Sequence, residues 1–343
     1  MNTPASATPL HAIGERGLVE LIRRRFPSPP SLLPVGIGDD AAVAVPERGA
    51  LEILTTDAMV EGVHFDLAFC SPADVGFKSL AVNVSDVASM GGTARLALLS
   101  LILPSGMTVA EVEGLLDGFA AMASEAGVAL AGGNITTSPG PLIVDVTVSG
   151  SVRPRKVLTR AGGRPGDALY VTGALGAAAA GLEWLRATRA GPADRPGESD
   201  LAACVDRYRR PEPRARLGAI LGRSRAATAC MDLSDGLADA VRQVAAASGV
   251  GARIDAQALP VAEGVRRMAR QRDGDPVLMA AAGGDDYELL FAVPARRRGR
   301  LKTVVQQARG VAVTRIGELT AAPDVVLVRN GRAEELPAGF VHF

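Results

Sequence analysis

The chain has 343 residues, 37 Lys and Arg against 37 Asp and Glu, 48% hydrophobic and 3% aromatic residues. Its length suits two cores better than one. The zero net charge argues against a general nucleic-acid binder, and the few aromatics against a platform for stacked bases. Cys70, Cys204 and Cys230 share no CxxC spacing, so neither a disulfide framework nor a zinc site is expected, which fits a reducing compartment. The start, MNTPASATPL, lacks the charged-then-apolar order of a signal peptide. Leu96 to Leu103, the strongest apolar run, falls far short of the roughly 20 residues of a membrane helix. A cytoplasmic protein with no nucleic-acid or membrane partner is expected.

Strands and helices alternate along the chain. Residues 51–55 predict a short strand that delivers Thr56 and Asp57 at its end. Residues 73–90 read as a helix stopped by Gly91-Gly92. Arg95 to Leu103 reads as a buried strand halted by Pro104. Thr108-Val109-Ala110-Glu111 is a capping box, and Val112, Leu115, Leu116, Phe119 and Met122 follow at helical period. Residues 128–131 predict a strand running into Gly132-Gly133-Asn134, and 142–152 a longer alternating one.

Near 151–156 the chain turns basic around Pro154. The boundary is placed there, giving an N-terminal α/β domain over 1–152 and a C-terminal α/β domain over 153–343. Beyond it the pattern predicts a strand at 168–172, a helix from Leu175 and an exposed loop at 188–200. A helix at 234–247, a strand at 252–254, a helix at 261–272 and a strand at 287–293 come next. A basic helix at 296–309 and strands around Val313 and Val325 complete the series. Arg296-Arg297-Arg298 reads as a solvated helix face.

Carboxylates recur in short clusters flanked by glycine or hydroxyl residues: Gly38-Asp39-Asp40, Thr55-Thr56-Asp57, Ser85-Asp86, Asp232-Leu233-Ser234-Asp235 and Gly283-Gly284-Asp285-Asp286. Singly, each has a plain explanation as a polar turn or a helix cap. Ser85-Asp86 is the exception, since it interrupts an apolar helical stretch where propensity gives it no reason to be. Together the oxygen-only clusters suit Mg2+ held against a phosphorylated ligand. The phosphate loop of P-loop enzymes, the protein-kinase motif set and a GxGxxG fingerprint are all missing.

The ordered set GIGDDAAV (36–43), TTDAMVEGVHF (55–65), KSLAVNVSDVASMGG (78–92), LTRAGGRPGDALYVTG (158–173), MDLSDGLADA (231–240) and GGDDYELLF (283–291) resembles the thiamine-monophosphate kinase family. That family belongs to the superfamily of aminoimidazole ribonucleotide synthetase and selenophosphate synthetase. The resemblance runs from about Gly36 to Phe343. It implies a two-domain α/β (α+β) architecture like that of aminoimidazole ribonucleotide synthetase, whose N-terminal sheet forms a homodimer interface. It also implies an enzyme, a phosphotransferase moving the γ-phosphoryl of ATP onto thiamine monophosphate. By the same resemblance, several Mg2+ ions fall to Asp40, Thr55, Thr56, Asp57, Asp86, Asn134, Asp232 and Asp235. ATP falls to Gly133, Asn134, Arg160 and Ser234, and the thiamine phosphate to His64 and Asp285, with Phe340 over its ring.

No general base is expected, because a phosphate monoester with a second pKa of about 6 is already largely ionised at neutral pH. Positioning and charge neutralisation carry such a transfer. Three positions depart from the family pattern. Asn134 stands where Asp is usual, Asp285 where Glu is common, and Pro337 where an aromatic often covers the substrate ring. Two alternatives are another ATP-dependent synthetase of the superfamily and a non-catalytic sensor of nucleotide or thiamine phosphate. The former is weakened, for selenophosphate synthetase, by the lack of an N-terminal cysteine.

Overall fold

The computed structural model describes residues 8–308 and 310–339. Two compact units divide the chain. One takes the described residues up to Val84, Ala94–Ser151 and Arg189–Asp194; the other takes Ser85–Thr93, Val152–Thr188 and those from Arg195 on. Among the described residues no helix is long and apolar enough to cross a membrane.

The first unit is built from α1 (Gly14–Arg25), β1 (Leu51–Val60), most of α2 (Pro72–Ser89), β2 (Thr93–Pro104), α3 (Val109–Ala126), β3 (Ala129–Ser138) and β4 (Ile143–Val152). Its four strands lie in the order β1-β4-β2-β3. Side chains alternate across the pleat, so Ile53, Met59, Leu99, Leu101, Leu103, Val144, Val146 and Val148 are buried. Leu54 and Leu98, on the opposite face, stay 72% and 45% exposed.

Two strands extend further than the sequence pattern predicts. β1 continues to Val60 and β3 to Ser138, so Thr55-Thr56-Asp57 and Gly132-Gly133-Asn134 lie within strands. Threonine's branched Cβ suits the pleat. Gly133 is demanded by proximity: a Cβ there would sit 1.8 Å from the Leu99 carbonyl oxygen across the β2–β3 pair.

The capping box forms as predicted. The Glu111 N–H donates to Thr108 Oγ1 at 3.3 Å, and the Thr108 N–H to Glu111 Oε2 at 2.7 Å. All five residues of the predicted apolar stripe are buried. α3 crosses α2 at backbone distance, since a Cβ on Gly118 would lie 1.8 Å from the Ala73 carbonyl oxygen.

The second unit begins with β5 (Ala168–Thr172), α4 (Ala177–Thr188), α5 (Ser199–Arg209), α6 (Ala215–Ser224), β6 (Ala229–Asp232), α7 (Leu237–Ser248) and β7 (Gly251–Asp255). It continues with α8 (Glu263–Arg272), α9 (Pro276–Ala282), β8 (Leu289–Val293), α10 (Arg298–Gln307), β9 (Val313–Thr320), β10 (Val325–Arg329) and β11 (Arg332–Glu335). The strands form one sheet in the order β11-β10-β7-β9-β5-β8-β6. All neighbours are antiparallel except β7 and β10. Leu169, Val171, Met231 and Leu290 join one core with α4, α7 and α8, while Cys230, Leu289, Phe291 and Val293 join another with α6 and α10. Helices cover both faces, which is why β8 reads as the unbroken apolar run Leu-Leu-Phe-Ala-Val.

Helices α1, α5, α6 and α9 and strand β11 have no counterpart in the sequence reading. For α9 the signal is present: Asp275 Oδ1 accepts from the Val277 N–H at 2.9 Å, and Pro276 opens the helix. The basic helix expected over 296–309 is a 3-10 turn at Ala295–Arg297 followed by α10.

Two glycines of α3 give opposite expectations. A Cβ at Gly114 meets nothing closer than 3.6 Å, so Gly114→Ala should stabilise by about 0.5–1 kcal/mol through helix propensity. Gly118→Ala must push α2 away and should cost about 1–3 kcal/mol. Urea midpoints with unchanged m-values would check both.

Candidate active site

In the second unit, β6 ends at Asp232 and the chain turns through Leu233–Gly236 into α7. The segment Gly283–Glu288, leading into β8, runs beside that turn. The Asp285 N–H donates to the Ser234 carbonyl at 2.7 Å, the Tyr287 N–H to Leu233 at 3.0 Å and the Leu233 N–H to Glu288 at 2.8 Å. Glycines allow this approach: a Cβ on Gly284 would lie 2.7 Å from the Ser234 oxygen. Asp285 and Tyr287 both hold positive φ, 65° and 49°, a costly conformation that the surroundings must impose. The Tyr287 hydroxyl donates to Asp285 Oδ1 at 3.3 Å.

Two carboxylates of the same segment face inward: Asp286, which the sequence pattern places in an oxygen cluster suited to Mg2+ but which is committed to backbone N–H groups, and Glu288, to which that pattern assigns nothing. Asp286, buried, accepts from the Gly176 N–H at 2.6 Å and the Ala178 N–H at 3.2 Å, capping α4. Glu288, also buried, accepts from Thr172 Oγ1 at 2.5 Å and Arg214 Nε at 2.6 Å and forms a second contact with Arg214 Nη2. Arg207 lies 3.7 Å from it. Gly173 makes room for this carboxylate, because a Cβ there would lie 2.0 Å from Glu288 Oε1. The signal was the motif itself, where three acids in four residues exceed what one substrate contact needs.

The last residues of α2 belong to this unit. Ser85, fully buried, donates from Oγ to Asp232 Oδ2 at 2.7 Å, and Asp232 is only 4% exposed. That joins the Ser85-Asp86 and Asp232–Asp235 clusters and explains the polar pair within an apolar helix. α6 holds this end of α2 in place through Gly218, where a Cβ would lie 2.2 Å from the Ala88 carbonyl oxygen. Ser234 Oγ donates to Asp235 Oδ2 at 3.2 Å. Arg160 donates to Gln243 Oε1 at 2.6 Å, and Gln243 in turn to Asp239 Oδ2 at 2.5 Å, fixing the guanidinium along α7. Arg242 ties down the C-terminal segment through the Leu336 and Pro337 carbonyls at 2.5 and 2.8 Å. This leaves Gly339 packed on the backbone of Asp235. Phe340 lies outside the described residues.

The first unit holds the remaining candidates. Strand alternation puts Thr55 and Asp57 on one face of β1 and Thr56 on the other. Thr56 Oγ1 donates to Asp145 Oδ1 at 3.0 Å and lies 3.0 Å from Thr147 Oγ1, on the open face of the sheet. Thr56 is therefore separated from its two neighbours. Asp40 is exposed on a turn, its N–H bonded to Asp39 Oδ1 at 2.8 Å. Gly133 and Asn134 are exposed on β3, with Asn134 opposite Ser100. His64 Nδ1 accepts from the Val60 N–H at 3.1 Å, which places the proton of the neutral ring on Nε2. Buried Lys78 braces the same turn with a bond from Nζ to the His64 carbonyl at 3.4 Å.

The clusters fit magnesium in donor type, since carboxylate, hydroxyl and amide oxygens are hard ligands. Among the described residues, no group of three or more His, Cys, Asp or Glu is gathered to hold an ion unaided.

Family models match both halves of the chain: the AIR synthase related protein N-terminal domain over residues 38–152 and the C-terminal domain over 164–330. Fold and clusters thus define a two-domain protein of the AIR synthase related class. Thiamine-monophosphate kinase of Salmonella typhimurium is 38% identical over 335 residues, 97% of this chain and 99% of that protein. The Bacillus subtilis enzyme of the same name is 37% identical over 263 residues, 77% of this chain and 78% of that protein. The chain belongs to the thiamine-monophosphate kinase family. The crystal structure of the Stenotrophomonas maltophilia kinase superposes with a TM-score of 0.82 at 35% identity, covering 92% of this chain and 96% of that one. AaThiL complexed with AMPPCP and TMP gives 0.75 at 32%, covering 98% and 99%.

Burial pushes the Asp286 carboxyl up to about 7 from 3.8, against the two backbone N–H donors and with Glu288 adding to the rise. Unfolded, the group loses its proton near pH 4; folded, it keeps it to about pH 7. The folded state therefore binds more protons in that window, and this contribution to stability falls as pH rises through it, by at most about 1.4 kcal/mol per pH unit. Asp286→Asn, which cannot ionise, should flatten the fall. Melting temperatures from pH 4.5 to 7.5 would show it, and parallel wild-type and variant curves would overturn it.

Proposed function

We propose that this chain transfers the γ-phosphoryl group of ATP to thiamine monophosphate, giving thiamine diphosphate and ADP. The supporting observation is its likeness, over 98% of its length, to a structure complexed with AMPPCP and TMP. The acceptor is a phosphate monoester, already nucleophilic at neutral pH, so transfer in line needs no general base. The residues instead bring two mutually repelling anions together and hold them.

Arg160, Ser234, Gly133 and Asn134 are the proposed ATP contacts. Gln243, itself bonded to Asp239, holds the Arg160 guanidinium, so that it can take phosphate oxygens with little further loss of side-chain freedom. His64 and Asp285 hold the thiamine phosphate. Nε2–H of His64 is a donor suited to a phosphate oxygen, and the φ of 65° at Asp285 fixes a carboxylate one methylene shorter than the usual Glu. Phe340 is the proposed cover for the ring. Asp86, Asp232 and Asp235, with Asp40, Thr55, Asp57 and Asn134, are the proposed magnesium ligands, and the Thr56 hydroxyl, on the other face of β1 and bonded to Asp145, is left out of the set. Bound magnesium would neutralise charge on the transferring phosphates. Ser85 orients Asp232 for that task.

A cytoplasmic homodimer is the proposed state, formed through the open face of the first unit's sheet. Its support is a face carrying Leu54 and Leu98 in water beside the Thr56, Asp145 and Thr147 cluster. Leu54→Asp should convert a dimer to a monomer in light scattering, and an unchanged mass would remove the face from consideration.

Thiamine diphosphate formation from ATP, Mg2+ and thiamine monophosphate, followed by chromatography, tests the activity. Nucleotide binding without product would favour a sensor. Asp86→Asn should lower kcat by about 10²–10³-fold with the fold intact, and a near-wild-type rate would show that Asp86 holds no metal. Asn134→Asp restores a charge and should shift the Mg2+ titration to lower concentration. An unmoved titration would place residue 134 away from the ion.

A further inference from the structure

The arginine run at 296–298 does more than coat a helix. Arg296 and Arg297 meet Arg155, Lys156, Arg164 and Arg225 around a cavity of about 280 Å³ in the second unit. No carboxylate lines it. Asp167, whose charge acts on Arg297, is buried and engaged elsewhere, accepting from Thr228 Oγ1 at 2.7 Å and the Arg164 N–H at 3.1 Å. Arg195, Arg214, Arg267 and Arg329 each pair with a carboxylate, whereas none of the six cavity cations is ion-paired among the described residues. In a chain whose charges balance at 37 against 37, six unneutralised cations around one cavity are a local excess.

The cations are held in a frame. Lys156 Nζ donates to the Arg223 carbonyl at 2.6 Å, Arg225 Nε to Arg155 at 3.2 Å and Arg297 Nη1 to Ala227 at 3.0 Å. Two of these carbonyls, those of Arg223 and Ala227, belong to the end of α6 and the turn after it, where the helix dipole favours positive charge. Arg155 and Arg225 hold positive φ, 65° and 54°, although neither is glycine. Partial burial and the charges of Arg296, Arg300 and Arg225 push the Arg297 pKa below its usual value, a repulsion that a bound anion would relieve.

The cavity adjoins Ala227 and Thr228, just before β6 begins, whereas Asp232 closes the same strand at its far end. It is thus separate from the Asp232–Asp235 turn. We propose that this cavity binds a small ligand through a diphosphate or longer phosphate chain, at a site additional to the one that handles ATP and thiamine phosphate. Cations arranged around a recess, with no aromatic among the lining residues, suit several vicinal phosphates better than a nucleic-acid strand, which needs a stripe and stacking surfaces. The volume lies below the range of pockets that enclose whole drug-sized ligands.

Calorimetry with inorganic pyrophosphate and tripolyphosphate, in EDTA so that no metal-dependent phosphate binding contributes, tests this on the full chain. Wild type should bind pyrophosphate at least tenfold more tightly than orthophosphate or sulfate. The double variant Arg155→Gln, Arg296→Gln, in exposed side chains outside the carbonyl frame, should weaken it tenfold or more with unchanged melting temperature and unchanged thiamine diphosphate formation. Arg164→Gln alone should weaken it severalfold and serves if the double variant folds poorly. No binding in EDTA, equal affinity in wild type and variants, or equal affinity for sulfate would overturn the proposal. The calorimetric result stands whether or not the chain turns over thiamine monophosphate.

Discussion

A carboxylate withdrawn from water needs replacements for the hydration it loses, and three of the four buried carboxylates among the second unit's described residues organise the candidate site. Asp286 takes backbone N–H groups from the start of α4, Glu288 takes Arg214 and Thr172, and Asp232 takes the Ser85 hydroxyl. An unsatisfied buried polar group costs about 1–3 kcal/mol, and more if charged. Each pairing therefore fixes a loop as firmly as apolar packing fixes a strand. Asp286 and Glu288 flank Tyr287 and sit beside Asp285, so their anchors are what let two residues without glycine's freedom occupy positive φ. The side chains offered to a substrate are thus displayed by neighbours that face inward.

Glycines supply the complementary part. Gly173, Gly218 and Gly284 each stand where a Cβ would meet a neighbouring oxygen. Gly173 admits the Glu288 carboxylate, Gly218 brings the end of α2 against α6, and Gly284 lets the Asp285 segment lie on Ser234. Many of the glycines in the recurring motifs are accounted for by packing of protein on protein, before any ligand is considered.

Much of the fold was legible in the sequence because the strongest signals are local. The capping box at Thr108, the stripe of α3 and the apolar run of β2 depend on residues close in the chain. Strand ends were less legible. Polar and glycine residues normally close a strand, yet in β1 and β3 they continue it, because threonine suits the pleat and Gly133 answers the backbone of β2. The clusters near the candidate site were visible as residue types, but their partners were not. Ser85 and Asp232 are 147 residues apart. The basic cavity draws on segments around 155, 164, 225 and 296, of which the first and last were visible as basic stretches but not as neighbours. Only the fold reveals which cations share a space.

Strand β1 assigns neighbouring residues to opposite surfaces: Thr55 and Asp57 to one, Leu54 and Thr56 to the other. Gaining or losing a single residue upstream within the strand would exchange the two sets, since a one-residue slip inverts every side chain. Length at this point is consequently under a parity constraint. The chemistry of β1 could vary position by position, whereas a one-residue shift of its frame would need a bulge to absorb it, of the kind β2 shows at Ala97/Leu98.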